Sequence, residues 1–67
     1  MSKFSKVLKE IMEKNELNQQ ETADLLQVRQ SQVSNWLNGK SLPGYFSIKQ
    51  ICEKFKIEPG QILGLEE

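Results

Sequence analysis

The apolar residues of this chain recur at helical spacing in separate blocks. In the first block they fall at positions i, i+3, i+4, i+7 and i+8, which is the stripe of an amphipathic helix, and lysines and glutamates occupy the positions between. This spacing predicts a first helix over residues 2–15. Its apolar members are Phe4, Val7, Leu8, Ile11 and Met12.

A second helix is indicated by a capping pattern. Asn18 is a favourable N-cap residue, and Glu21 follows three positions later, which is the capping-box spacing. We predict a helix over residues 18–27 that turns Ala23, Leu25 and Leu26 towards the interior.

A third apolar spacing begins after a short break, at Val33, Trp36 and Leu37. It predicts a helix over residues 30–38 with Trp36 in the core. Gly39 then stands where a helix commonly ends in the left-handed conformation.

Two further helices are predicted after Pro43, over residues 45–55 and 59–63. Pro59 suits the first turn of the last one. In the longer helix we expect Cys52 to act as a small buried apolar residue and Tyr45 to be exposed. The stripe that should face the core comprises Phe46, Ile48, Ile51, Cys52 and Phe55.

The expected fold class is therefore all-α, with five helices and short connections. The second and third helices are joined by only two or three residues. So short a link favours a steep crossing over an antiparallel hairpin, and this is the helix-turn-helix geometry.

Composition narrows the class of protein further. The 67 residues predict a single domain over 1–67, and one Cys with no His excludes a disulfide framework and argues against a zinc site. No apolar run is long enough for a membrane helix, and the N-terminus has no signal-peptide block. We expect a cytoplasmic protein with no metal, no cofactor, no small-molecule ligand and no enzymatic activity.

The charge is unevenly distributed although its sum is zero. All nine acidic residues lie outside residues 25–52, whereas Arg29, Lys40 and Lys49 lie within them. One part of a neutral molecule could thus be locally positive, although chance could also produce this distribution in a short chain.

The outward face of the third helix is almost entirely amide and hydroxyl. Ser and Asn are poor helix formers, so an ordinary exposed face would favour Lys, Glu or Ala. Amide groups that donate and accept are suited to reading base edges in the major groove, where Gln and Asn can bond adenine in pairs. Acids would be repelled by phosphate, which is consistent with their absence here.

The segment "NQQETADLLQVRQSQVSNWLNGKSLP", followed by "IKQICEKFKI" and "PGQIL", resembles the phage-repressor and Cro-like (XRE-type) helix-turn-helix family. The shared features are Gln19 at the front of the second helix, Ala23 at the crossing, the Val33-Ser34 pair, and Gly39 before Pro43. The resemblance implies a five-helix, lambda-repressor-like DNA-binding domain whose third helix lies in the major groove.

By position, the resemblance implies that Gln30, Ser31, Gln32 and Asn35 contact bases. It implies phosphate contacts by residues at the start of the second helix and in the loop after the third, namely Asn18, Gln19, Asn38 and Lys40. Arg29 departs from the family, which often has Ser, Thr or Asp at this cap position, and could reach a phosphate or a guanine instead. The loop "SLPGY" also lacks the arginines that some relatives insert into the minor groove.

Two functions are compatible with these features. The first is a transcriptional regulator, a repressor that binds an inverted-repeat operator in double-stranded DNA as a homodimer, with Ile62, Leu63 and Leu65 as the expected dimer contact. The second is an antitoxin or another protein-interaction module of the same fold, which the neutral net charge favours.

Overall fold

The structure is a computed structural model that describes residues 3–60, and these residues form four α-helices and no strand. The helices are α1 (Lys3–Lys14), α2 (Gln19–Leu26), α3 (Gln30–Leu37) and α4 (Tyr45–Phe55). The all-helical prediction is confirmed, and α4 has the predicted bounds. No helix in this part of the chain has the length and apolar character needed to cross a membrane.

The predicted bounds of the other three helices are wrong by one residue at some ends. Asn15 is a turn residue after α1, Asn18 and Gln27 flank α2 as caps, and Asn38 caps the C-terminus of α3, so none of the four is helical. Pro59 and Gly60 are helical, but residues 61–63 lie outside the described residues, as does Ser2. The fifth helix therefore stays a prediction.

Each of the four helices is followed by a residue in the left-handed conformation. Only one of these residues is a glycine, Gly39, with φ of 74°. The others are Glu16, Gln27 and Lys56, with φ of 55°, 60° and 55°. Sequence reasoning found only the glycine, because a non-glycine residue gives no comparable signal for this conformation.

The three non-glycine ends share a second feature. The residue after the left-handed one is apolar, is packed against the core, and bonds its N–H to a carbonyl five residues earlier in the chain. The pairs are Leu17 to Met12 at 2.8 Å, Val28 to Ala23 at 3.0 Å and Ile57 to Cys52 at 3.2 Å. The apolar contact fixes the direction in which the chain leaves each helix.

The core is built from all four helices, with α1 as the largest contributor. Trp36 is 3% exposed, as predicted, and meets Phe4 edge to face with ring centroids 5.9 Å apart. The buried apolar residues are Phe4, Leu8, Ile11, Met12, Ala23, Leu26, Val33, Trp36 and Ile51.

α3 is in contact with two other helices, α1 and α2. α2 packs directly on α3 across the short turn of residues 27–29, α1 packs on α3, and α4 packs on α2. Ala23, on α2, is completely buried, which allows the two helix axes to approach closely. The contact of α2 with α3 across this turn is consistent with the predicted helix-turn-helix.

Two predicted core residues are exposed instead. Leu25 is 40% exposed and Phe46 is 56% exposed. Ile51 is the one residue of α4 that is fully buried. Among the residues described, α4 packs mainly on α2, and this contact surface is narrower than the apolar stripe of α4. The exposure of Tyr45, at 82%, agrees with the prediction.

Cys52 is half-buried, packs against the core and has a free thiol, so the prediction of a small buried apolar residue is confirmed in part. Burial raises the pKa of the Cys52 thiol, and the carboxylates of Glu58 and Glu53 raise it further. The protonated thiol is therefore favoured at this position, as expected of a packing residue.

Candidate nucleic-acid interface

The outer face of α3 is exposed where the sequence predicts base contacts. Gln30, Ser31 and Gln32 are exposed, and Asn35 is half-buried. Within residues 3–60, the side chains of Gln30, Ser31 and Asn35 have no hydrogen-bond partner in the protein. Their amide and hydroxyl groups are thus available to a ligand, although Asn35 is partly covered.

The start of α3 is held by an interaction that sequence reasoning missed. Arg29 is the N-cap residue, with φ of −83° and ψ of 151°, and its side chain makes no capping hydrogen bond. Instead the Oε1 of Gln32 accepts from the N–H of Arg29 at 3.1 Å. The signal was present, since Arg29 and Gln32 have the same spacing as the capping-box pair of α2.

The start of α2 has the complete capping box that the sequence predicts. The Oδ1 of Asn18 accepts from the N–H of Glu21 at 2.7 Å, and the carboxylate of Glu21 accepts from the N–H of Asn18 at 2.9 Å. The carbonyl of Asn18 accepts two further hydrogen bonds, one from the backbone N–H of Thr22 at 3.0 Å and one from the Thr22 hydroxyl at 2.8 Å.

This capping box changes what the start of α2 can offer to a phosphate. The backbone N–H of Asn18 is already bonded, and the Glu21 carboxylate places a negative charge at the end that otherwise attracts anions. The groups left for a phosphate are the Nδ2 of Asn18, the amides of the first helical residues, and the half-buried side chain of Gln19.

The C-terminus of α3 is fixed by a Schellman motif. The N–H of Gly39 donates to the carbonyl of Trp36 at 3.2 Å, and the N–H of Lys40 donates to that of Asn35 at 2.9 Å. The residue after the left-handed glycine is here a lysine and not an apolar residue, and its side chain is exposed. Asn38, also exposed, donates from Nδ2 to the hydroxyl of Ser34 at 3.4 Å.

A buried hydroxyl ties this end of α3 to α1. Ser5 is 1% exposed, and its Oγ donates to the carbonyl of Trp36 at 2.6 Å. The same carbonyl therefore receives two hydrogen bonds, one from α1 and one from Gly39. α3 is thus bonded to α1 at its C-terminus and packed on the core by its apolar face, while its N-terminus is capped from within the helix, so its outer face has a defined position.

The basic residues of the acid-free segment are all on the surface. Arg29, Lys40 and Lys49 are exposed, and Arg29 and Lys40 flank α3 in the sequence. The outer face of α3 is itself uncharged. A ligand that contacts this face would consequently meet positive charge on either side of neutral hydrogen-bonding groups.

Comparison with models of protein families gives a match that covers most of the chain. The family model described as Helix-turn-helix matches residues 8–62, which includes α2, α3, the turn between them and most of α1. Neither the search of curated proteins nor that of solved structures found a match to the chain. Because the match extends over most of the chain and the geometry of α2 and α3 agrees with it, the chain belongs to the XRE-type helix-turn-helix family of DNA-binding regulators.

Proposed function

We propose that this chain is a sequence-specific transcriptional repressor that inserts α3 into the major groove of double-stranded DNA. The observation that carries the proposal is the exposed, uncharged and hydrogen-bonding outer face of α3, on a helix that is capped at its start and bonded to α1 at its end. The major groove is wide enough to admit an α-helix, and its base edges present donors and acceptors that such a face can pair with.

The base contacts would come from the side chains that have no partner in the protein. Gln30 stands at the first position of α3, and both the oxygen and the nitrogen of its side-chain amide are available. It can therefore form two hydrogen bonds with a single adenine, one to N6 and one to N7. Ser31 lies beside it, and Asn35 lies one turn further on the same helix. Gln32 is the fourth residue proposed to contact bases, and it differs from the other three because its Oε1 already accepts the N–H of Arg29.

The phosphate contacts would come from both ends of α3 and from the start of α2. Arg29 and Lys40 supply positive charge, whereas Asn38, Gln19 and Asn18 supply amide donors. Such contacts position a protein on the duplex and carry no sequence information themselves. They also make binding sensitive to salt.

We further propose that the repressor binds an inverted-repeat operator as a homodimer. One reading helix spans only a few base pairs, so a second copy is needed for useful specificity, with half-sites about one helical turn apart. The proposed contact residues Ile62, Leu63 and Leu65 lie outside the described residues.

Selection of bound sequences from a random DNA pool tests this proposal directly. We expect a palindromic site whose half-sites are about 10 base pairs apart from centre to centre. A salt titration on that site should then show a steep loss of affinity, because each neutralised phosphate releases counterions. Failure to enrich any sequence, or binding that does not change with salt, would contradict the proposal.

The alternative is a module of the same fold that acts on a protein partner, as an antitoxin does. The observation in its favour is the exposure of Leu42, Tyr45 and Phe46, which are 69%, 82% and 56% exposed, on a chain with zero net charge. A protein that binds no DNA in the pool selection would leave this function as the better explanation of the fold.

A further inference from the structure

The side-chain amide of Gln32 is already used inside the protein, which distinguishes it from the other proposed reading residues. Its Oε1 accepts the N–H of Arg29 at 3.1 Å, while Gln30, two residues earlier, has no such bond within the described residues. A backbone N–H can be accepted only by the oxygen of the amide and not by its nitrogen. The chemistry therefore fixes which end of the amide faces the backbone.

This bond compensates for an unfavourable residue at the cap. Arg29 has no side-chain acceptor for the free N–H groups at the start of α3, and its side chain makes no capping bond. Gln32 contributes the half of a capping box that comes from the third helical position. The N-terminus that presents Gln30 is thus held in place by a residue of the reading face itself.

From this geometry we propose that Gln32 is a positioning residue for the start of α3 and, if the chain acts on DNA as proposed above, contacts bases only as a hydrogen-bond donor. A two-bond contact with adenine needs both the oxygen and the nitrogen of the side-chain amide. The oxygen of Gln32 would have to leave Arg29 or be shared with it. The Nε2 group keeps its hydrogens, which suit acceptors such as guanine N7 and O6 or thymine O4.

Three variants separate the two roles of this amide. Gln32→Ala removes both the cap and the donor, whereas Gln32→Glu keeps an oxygen acceptor for Arg29 and removes the donor. Gln20→Ala is the matched control, because Gln20 is an exposed glutamine whose side chain bonds Asp24 within α2.

The first arm uses the protein without DNA and measures the hydrogen exchange of the Arg29 N–H by NMR. Loss of one modest hydrogen bond should accelerate this exchange roughly 2- to 10-fold in Gln32→Ala. We expect no acceleration in Gln32→Glu or in Gln20→Ala. Equal exchange in the wild type and Gln32→Ala would overturn the positioning role.

The second arm uses the sequence selected from the random pool, with each base pair replaced in turn. Gln30→Ala should reduce the preference for adenine at one position by roughly 5- to 150-fold, the range of a good pairwise contact. Each adenine is also replaced by purine, which keeps N7 and lacks the N6 amino group; a contact of Gln32 that only donates should then change by no more than about 2-fold. A larger loss on removal of N6 that is absent in Gln32→Ala would overturn the donor-only role.

The two proposals fail in different ways. A wild-type chain that binds no DNA at any salt concentration would overturn the DNA-binding function, and the exchange of the Arg29 N–H would still decide whether Gln32 holds the start of α3. A chain that binds DNA with unaltered exchange in Gln32→Ala would keep its function and lose this inference.

Discussion

Ser5 is a polar residue that lies completely within the protein, and its hydrogen bond explains why it is tolerated there. Its Oγ lies 2.6 Å from the carbonyl of Trp36, which also receives the N–H of Gly39. A buried hydroxyl with a partner costs little, whereas an unpaired one would cost a few kcal/mol. This residue therefore links α1 to the C-terminal end of α3.

We expect Ser5→Ala to reduce the free energy of unfolding by about 1 kcal/mol, the typical net contribution of one hydrogen bond. For a domain of this size the melting temperature should fall by roughly 4–8 °C. Thermal denaturation followed by circular dichroism measures the change. Ser41→Ala, at an exposed loop position, is the control and should melt within about 2 °C of the wild type; a shift as large as that of Ser5→Ala would discount the role of this bond.

Gly39 and Gly44 form a natural pair for testing the left-handed turn after α3. A Cβ at either position would meet no atom within 4 Å, so space does not distinguish them. Only Gly39 has a positive φ, of 74°, while Gly44 has φ of −80°. Gly39→Ala should therefore cost about 1–2 kcal/mol, whereas Gly44→Ala, at the N-cap of α4, should cost less than about 1 kcal/mol, because Ala is a poorer cap than Gly. Equal losses in urea denaturation would contradict this account.

At the scale of helices, periodicity and caps predicted most of what the structure describes. The stripe of α1, the capping box of Asn18 and Glu21, and the turn at Gly39 all follow from interactions between near neighbours, which a sequence displays directly. Leu25 and Phe46 were misplaced because their burial depends on which helix covers them, and that is a tertiary property. The cap by Gln32 has a local signal that the unusual Arg29 obscured.

Gln30→Ala tests the function of the reading helix apart from its stability. The side chain is exposed and makes no hydrogen bond within residues 3–60, so the melting temperature should not change by more than about 2 °C. Affinity for the selected DNA site should fall by about 1–3 kcal/mol, with relaxed preference at one base pair. Fluorescence anisotropy with labelled duplexes measures this loss. A large melting shift would instead mean that Gln30 has a structural role.

At the scale of the whole molecule, the charges are unevenly distributed although they sum to zero. The net charge is zero, yet residues 25–52 contain no acid and their basic side chains are exposed. Phosphate contacts depend on local potential, so a neutral protein can still bind DNA through one face. The acids of the rest of the chain would disfavour other orientations.

Lys40→Ala should weaken binding to all DNA sequences alike, because one phosphate contact is lost. The slope of log affinity against log salt concentration should become shallower by about one for each subunit bound. The fold should be unaffected, since the turn uses the backbone N–H of Lys40 and not its side chain. Lys54→Ala removes the same charge from the last turn of α4, next to Glu53, and should change the slope less. A base-specific effect of Lys40→Ala would contradict the phosphate role.

The single tryptophan of the chain lies on the inner side of the helix whose outer side is proposed to meet DNA. Its indole is packed against Phe4 and shielded from solvent, so the natural fluorescence of the protein senses loss of the interior and not occupation of the opposite surface. Unfolding and ligand occupancy can consequently be followed in one cuvette, the first by tryptophan emission and the second by a dye on the nucleic acid.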